Sequence, residues 1–428
     1  QVSVSGIQTN AIEVKGSLVL NTPSASGIEL EVNQTYNAIT WTKYGNIINV
    51  DLDLSLNGGT TYLPGNNIAT SLASTPSTLT WAVPDKIGAN LVIRVKDSNN
   101  SNVKAVSLNP FAIKGSVAIT APTTVGTTGA PFIANQSHNI IWDRNGSIGN
   151  LVFYYNVNDG AWVPIAGAGA VPSPLATGNT FAWTVPNDNI VSTNVKIKMS
   201  GPDLLADVIS EPFIVKGKIT LNAVAGPYIL GDNVSLTWTP NGDIGNVKVE
   251  YFDGTAWNVI TTTAPQNGPY TLTLDAQAPF LITKATDIAQ VRVSAASDPA
   301  VSSTSGQFIV KPVISITSPA GNEAWVVGTH HNITWTHLGT NIANVKIEYS
   351  KDSGVNYNDT ITASTTNTDV FDWTIPDDIQ AVKNMRIKIS TLPVAAAYAN
   401  SSVSTGLFQI IGALQMAVPD DTTGIQWR

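Results

Sequence analysis

Asn332-Ile333-Thr334-Trp335 is a short alternating stretch that ends in tryptophan, and the chain carries three versions of it upstream. Ala38-Ile39-Thr40-Trp41, Asn139-Ile140-Ile141-Trp142 and Ser235-Leu236-Thr237-Trp238 precede it, so the four tryptophans are spaced by 101, 96 and 97 residues. A second landmark keeps the same period. Phe111-Ala112-Ile113-Lys114-Gly115, Phe213-Ile214-Val215-Lys216-Gly217 and Phe308-Ile309-Val310-Lys311 close three units, and Phe408-Gln409-Ile410 closes the fourth. A period of about 100 residues is too long for a solenoid turn and suits a seven-strand sandwich.

Inside each unit the pattern alternates with period two. Val50-Asp51-Leu52-Asp53-Leu54, Val195-Lys196-Ile197-Lys198-Met199, Val247-Lys248-Val249-Glu250-Tyr251 and Val345-Lys346-Ile347-Glu348-Tyr349 put apolar and charged side chains on opposite faces. Hairpin signals stand nearby at Asn57-Gly58-Gly59, Asn158-Asp159-Gly160, Asp253-Gly254 and Asp352-Ser353-Gly354, where Asn, Asp and Gly tolerate positive φ. A third landmark is Trp81-Ala82-Val83-Pro84-Asp85, Trp183-Thr184-Val185-Pro186-Asn187 and Trp373-Thr374-Ile375-Pro376-Asp377. Each of its tryptophans lies 13 residues before a basic strand residue, Arg94, Lys196 or Arg386. Proline there ends a strand, since it cannot continue a central ladder. The third unit has Leu272-Thr273-Leu274 instead, with a longer stretch before Arg292, and is expected to deviate locally. No segment holds a helical period. The fold class expected is all-β, tandem immunoglobulin-like β-sandwiches arranged as a semi-rigid rod, because the Lys-Gly and Lys-Pro junctions leave no linker.

The repeat boundaries follow from the landmarks: 16–114, 115–216, 217–311 and 312–411. Ile12-Glu13-Val14-Lys15-Gly16 lies one period before Phe111-Ala112-Ile113-Lys114-Gly115, so residues 1–15 read as the closing strand of a preceding repeat. Gly412-Ala413-Leu414-Gln415-Met416 aligns with Gly115-Ser116-Val117-Ala118-Ile119, so residues 412–428 read as the opening strand of a following one. The expectation is a window of a longer array. The competing one is that the orphan strands complete a sandwich in a neighbouring molecule.

Ile314-Ser315-Ile316, Pro319, Gly321, Trp325, Gly328, Ile333 and Trp335 together resemble the opening of the immunoglobulin-like repeats of bacterial and archaeal surface proteins. The same repeat is similar to the Ser/Thr-rich domain of fungal cell-wall proteins. The resemblance implies an immunoglobulin-like fold and a surface location, with no associated chemistry.

Composition sets the remaining bounds. Hydrophobic residues make up 43% of the chain, enough for packed cores. Charged residues make up only 12%, which reads as sheet faces that are wet but not ionic. A net charge of −8 with scattered Lys and Arg argues against nucleic acid. No apolar run is long enough for a membrane span. Cysteine is absent, so each domain relies on its own core, and the acidic, Thr- and Asn-rich bias resembles that of surface-layer proteins.

Chemical motifs are sparse. No nucleophile elbow, zinc-protease helix or phosphate loop occurs, so no catalytic, cofactor-binding or metal residue is assigned and the chain is read as no enzyme. His138 and His331 both stand four residues before their tryptophans, a recurrence that favours a structural role, and His331 and His337 share a strand face that His330 does not. The acidic pairs Asp51/Asp53, Asp377/Asp378 and Asp420/Asp421 raise glycosidase carboxylates and calcium ligands. Asp51 and Asp53 fit the polar face of a strand better. Calcium at the junctions stays open, although a lysine at each joint disfavours a cation. Trp162, Trp257 and Trp325 follow turns or lie near ends and are candidates for stacking on sugars. Eight Asn-x-Ser/Thr sequons occur, a number that this composition yields by chance. The reading reached is a structural segment of an extracellular surface-layer or surface-filament protein that self-associates into an array or filament. The alternative is an adhesin stalk or carbohydrate-binding module array with cell-wall or surface glycans as partners. A glycan-active enzyme is the third class, and it requires a catalytic domain elsewhere.

Overall fold

Strands form where the alternation gathers branched and aromatic residues on one side of the chain. The computed structural model describes residues 14–123, 130–275, 282–379 and 381–413. Among them the one helical turn is Ala396–Tyr398. The chain divides into two compact units, Gln1–Lys216 and Gly217–Arg428. Each unit holds two β-sandwiches, and each sandwich has its own core. The expected terminal strands fall mostly on residues 1–13 and 414–428, outside the described residues.

In the first sandwich a smaller sheet is made of Ser17–Thr22, Thr35–Tyr44 and Thr78–Ala82, all antiparallel. A larger sheet runs in the order Glu29–Glu31, Phe111–Lys114, Gly88–Asp97, Asn49–Ser55 and Asn67–Ala73, with Lys104–Val106 also on Gly88–Asp97. Its first pair is parallel and the others are antiparallel. The second and fourth sandwiches repeat this plan. Their smaller sheets are Ser116–Ala121, Ser137–Asn145 and Asn179–Thr184, and Val313–Ser318, His330–Leu338 and Val370–Thr374. The architecture is tandem β-sandwiches.

The third sandwich departs from the plan where the sequence lacks its tryptophan landmark. Tyr270–Thr273 is only four residues long. It pairs with Asn233–Leu236, while Trp238–Asn241 pairs with Lys218–Leu221, so two short ladders replace one three-stranded sheet. Register also corrects the 13-residue spacing. Arg94 faces Asp53, Lys198 faces Tyr154, Arg292 faces Glu250 and Lys388 faces Glu348. Lys196 and Arg386 instead face Asn156 and Ser350. The connection after Trp81 is two residues shorter than those after Trp183 and Trp373, so equal spacing does not mean equal position.

The repeated tryptophans and closing phenylalanines fill the cores, with Trp41, Trp142, Trp335, Phe111, Phe213 and Phe408 almost wholly buried. A buried indole usually finds a partner for its N–H, and among the four repeated tryptophans only Trp41 has none. Trp142 donates to Ser173 Oγ at 2.9 Å, Trp238 to Gln266 O at 2.7 Å and Trp335 to Asn367 Oδ1 at 2.7 Å.

A recurrent serine went unread in the sequence. Ser107, Ser210, Ser305 and Ser404 are buried a few residues before each closing phenylalanine. Each backbone N–H donates to the carbonyl of Ile93, Ile197, Val291 or Ile387, at 2.8–2.9 Å. Each hydroxyl then accepts the N–H of that same residue, at 3.1, 3.0, 2.9 and 3.2 Å. The hydroxyl thus stands in for a backbone acceptor where the last strand shifts its pairing. Replacing Ser404 by alanine is expected to leave the Ile387 N–H buried and unpaired, lowering the stability of the fourth sandwich by about 1–3 kcal/mol. Urea unfolding of the variant, followed by tryptophan fluorescence, reads the change.

Candidate functional site

The chain's few charges gather on the outer face of the larger sheets. Asp53, Glu250 and Glu348 each face a cation across the strands. Arg94 Nη2 lies 2.5 Å from Asp53 Oδ2, Arg292 Nε lies 2.8 Å from Glu250 Oε2, and Lys388 Nζ lies 3.6 Å from Glu348 Oε2. A second cation flanks each acid: Lys96, Lys248 at 2.9 Å and Lys346 at 2.6 Å. In the second sandwich Tyr154 takes the place of the acid, and Lys198 Nζ sits 4.7 Å from its ring centre and 3.5 Å from Asp207 Oδ2.

An aromatic ring covers each facing cation. Tyr62 lies 3.7 Å from Arg94 Cζ, Trp257 4.4 Å from Arg292 Cζ, Trp162 5.2 Å from Lys198 Nζ and Tyr357 5.4 Å from Lys388 Nζ. A ring over a desolvated cation adds attraction beyond its buried area. The hairpin turns deliver these rings, since each aromatic follows one of them by a few residues. Asp253 Oδ1 holds its turn by accepting from Thr255 N at 2.8 Å, Ala256 N at 2.8 Å and Thr255 Oγ1 at 2.6 Å. Asn57 and Asp352 close theirs by accepting from Thr61 N and Asn356 N, both at 2.9 Å.

This arrangement changes two expectations. The face is ionic, not merely wet, and its acids are buried, Asp53 being 6% and Glu250 5% exposed. The loops fold over the sheet and exclude water there. Trp162 and Trp257 occupy equivalent positions and stay half-exposed. Trp325 differs: its strand pairs with Phe408–Ile411 and turns the ring inward. It is 6% exposed and stacks on His331 at 4.7 Å, so it has no open face for a sugar.

Within the first unit the two sandwiches meet without a spacer. Asn33 Nδ2 donates to Asn145 Oδ1 at 2.8 Å, and Asn145 Nδ2 donates to Val32 O at 2.8 Å. Ser116 Oγ donates to Glu31 Oε1 at 2.5 Å. Asp85 accepts from Ser147 N at 2.8 Å and Ser147 Oγ at 2.6 Å. Ile87 packs on both cores. The second unit closes its joint with the same pair of loops. Asn341 accepts from Ala285 N at 3.0 Å and donates to Ala285 O at 2.7 Å, and Thr340 N donates to Thr283 O at 2.9 Å. Ala285, Ile342 and Tyr398 form a small core there. Lys114 reaches across its joint and donates to Pro202 O in the second sandwich at 2.6 Å.

The histidines sit apart in role. His138 stacks on Phe132 at 4.3 Å as His331 does on Trp325, and burial lowers both imidazole pKa values. His330 pairs with Asp372 at 3.1 Å and His337 with Asp369 at 2.6 Å. Among the described residues no three His, Cys, Asp or Glu side chains group as a metal site. Asp377 and Asp378 are exposed, and Asp420 and Asp421 lie outside the described residues. Three clefts of about 350–370 Å³ are lined mainly by Leu, Gly, Thr and Asn, and none holds two carboxylates.

No family model and no curated protein sequence matches this chain. Among 121 matching chains of solved structure are the fibronectin(III)-like modules of Clostridium thermocellum CbhA and Drosophila N-cadherin EC1-4. The first is 16% identical with a TM-score of 0.17, over 45% of this chain and 93% of that one. The second is 9% identical with a TM-score of 0.20, over 91% and 99%.

Two outcomes follow for the third sandwich. Burial works to raise the Glu250 carboxyl, but hydrogen bonds from Arg292 and Lys248 outweigh it and hold the group below the ordinary carboxylate range. Burial likewise opposes the Thr255 hydroxyl, the turn amides and Lys284 at Asp253, and they win, bringing it to about 2. A depressed carboxyl stabilises the fold above its unfolded value and loses that contribution as pH falls through the folded one. Stability of this sandwich should therefore hold down to the ordinary Glu value of 4.5 and decline through 3.8 toward about 2. Asp253→Asn should flatten that acid limb in unfolding measured against pH. Glu250→Gln leaves two cations against a neutral amide and should cost about 2 kcal/mol at neutral pH, read from the urea midpoint.

Proposed function

We propose that this chain is a non-enzymatic structural segment of an extracellular surface-layer or surface-filament protein, a semi-rigid spacer whose sandwiches also contact neighbouring copies. The observation that carries this reading is the joint. In each unit two sandwiches meet through side chain-to-backbone hydrogen bonds and shared apolar contacts with no intervening linker. Such a joint sets the angle between neighbours, as a spacer or lattice element requires and a flexible tether does not.

The second reading, an adhesin stalk or carbohydrate-binding array, has the half-exposed rings of Trp162 and Trp257 in its favour. Their cation-facing sides are already occupied, which leaves at most the opposite face for a sugar.

Electron microscopy of the native material should show a regular sheet or filament with sandwiches touching side to side. Isolated particles without lateral order, together with glycan binding lost in Trp162→Ala, would move the assignment to the second reading. Hydrogen bonds to Glu31, Asp85, Asn145 and Asn341 close the joints, so the expected outcome is that chelation leaves thermal unfolding unchanged. In the first unit, Asp85→Ala should speed hydrogen exchange at Ser147 N while exchange in the two cores stays slow.

A further inference from the structure

The two sheets of each sandwich divide polar chemistry between them. Outward positions on the larger sheets carry the ion pairs described above. On the smaller sheets, three outward side chains in the four sandwiches are charged: Asp143, Lys218 and Asp372. The rest of those faces is largely hydroxyl, amide and methyl. Lys43 and Arg144 lie on the same strands but turn away, bonding Ile47 O and Leu175 O.

The third sandwich shows the pattern most fully. Thr220 faces Thr239 and Ser235 faces Thr271 across its two ladders. Thr237 and Thr273 stand beside them, and all six are exposed. Similar pairs recur elsewhere, Thr40 with Thr78 and Ser315 with Thr336. Apolar side chains stand among the hydroxyls, Val19 at 47%, Leu338 at 50% and Val370 at 42% exposure.

We propose that the charge-poor, threonine-rich outer faces of the smaller sheets, centred on that of the third sandwich, are the surfaces through which copies of this chain meet. Three properties point to a second copy as the occupant. A hydroxyl both donates and accepts, so a threonine face is complementary to itself and needs no matching charge pattern. Covering it on the third sandwich strips water from little more than the Lys218 ammonium, and desolvating charge is the costly part of burying a polar surface. The chain carries a net charge of −8, so copies meeting through an ionic face work against repulsion, whereas a neutral face avoids the closest like charges. The proposal rests on the self-associating reading above.

The test is sedimentation velocity of the full chain over a range of concentrations, with Thr239→Lys plus Thr271→Lys and a control, Thr262→Lys, on the larger sheet. All three positions are exposed, and equal melting temperatures confirm folding. The double substitution makes the chain less negative, so bulk electrostatics alone would strengthen association. The expected result is a concentration-dependent association of the wild type, weakened at least tenfold by the double substitution and unchanged by the control. Association that the double substitution leaves intact overturns the face assignment while the array reading stands. A chain that stays monomeric at every concentration overturns both.

Discussion

Each sandwich begins against an isoleucine from the loop that follows its tryptophan strand, and that contact governs the rest. Gly16 lies where a Cβ would come 2.9 Å from Ile47 Cγ1, and side chains at Gly115 and Gly217 would overlap Ile148 and Ile244. In the fourth sandwich the roles are exchanged: Pro312 opens the strand and Gly339 yields the space, at a φ of +129°. The isoleucine seals the end of the core only because the opening residue has no side chain in its way. The loop that carries it is the one that meets the preceding sandwich within each unit. Within each unit, core closure and the joint thus draw on the same loop.

Charge follows from the same economy of space. Few ionic side chains in a chain of this length need not lie near one another. Here they are concentrated on one sheet, paired across strands and roofed by aromatic rings. A partly buried ion pair adds modest net stability, because desolvation offsets most of the attraction. Its stronger effect is on register. Shifting the Glu250 strand by one residue would carry its carboxylate to the core face and leave Arg292 opposite an apolar neighbour. The pairs therefore penalise misalignment in a family of sandwiches whose repeated sequences invite it.

Much of this was legible from residues alone. Period-two alternation and a tryptophan every hundred residues are local signals, and they convey strands and tandem sandwiches. The irregularity of the third sandwich was also foreseeable from Leu272-Thr273-Leu274. What escaped was cross-strand. The rings over Arg94 and Arg292 lie some thirty residues from their cations, and nothing local marks Trp257 as a partner of Arg292. Trp325 sits among turn residues in the sequence, yet a parallel pairing with a strand over eighty residues away rotates it inward. The buried serines hid for a simpler cause: Ser107 and Ser404 stand four positions before their phenylalanines, Ser210 and Ser305 three, so no fixed spacing announces them.

The parallel pair at the edge of each larger sheet has a mechanical meaning. Glu29–Glu31 with Phe111–Lys114, Phe132–Ile133 with Phe213–Lys216, Tyr228–Ile229 with Phe308–Lys311 and Ala324–Val326 with Phe408–Ile411 all join an early strand to the closing strand. Tension drawn through the backbone pulls these partners in opposite directions along their length. Their hydrogen bonds then lie across the pull and resist it together, where a hairpin drawn from its open end would unzip one bond at a time. Sandwiches strung in series would share that tension equally, and the pair with the fewest bonds, in the second or third, would be the first to slip.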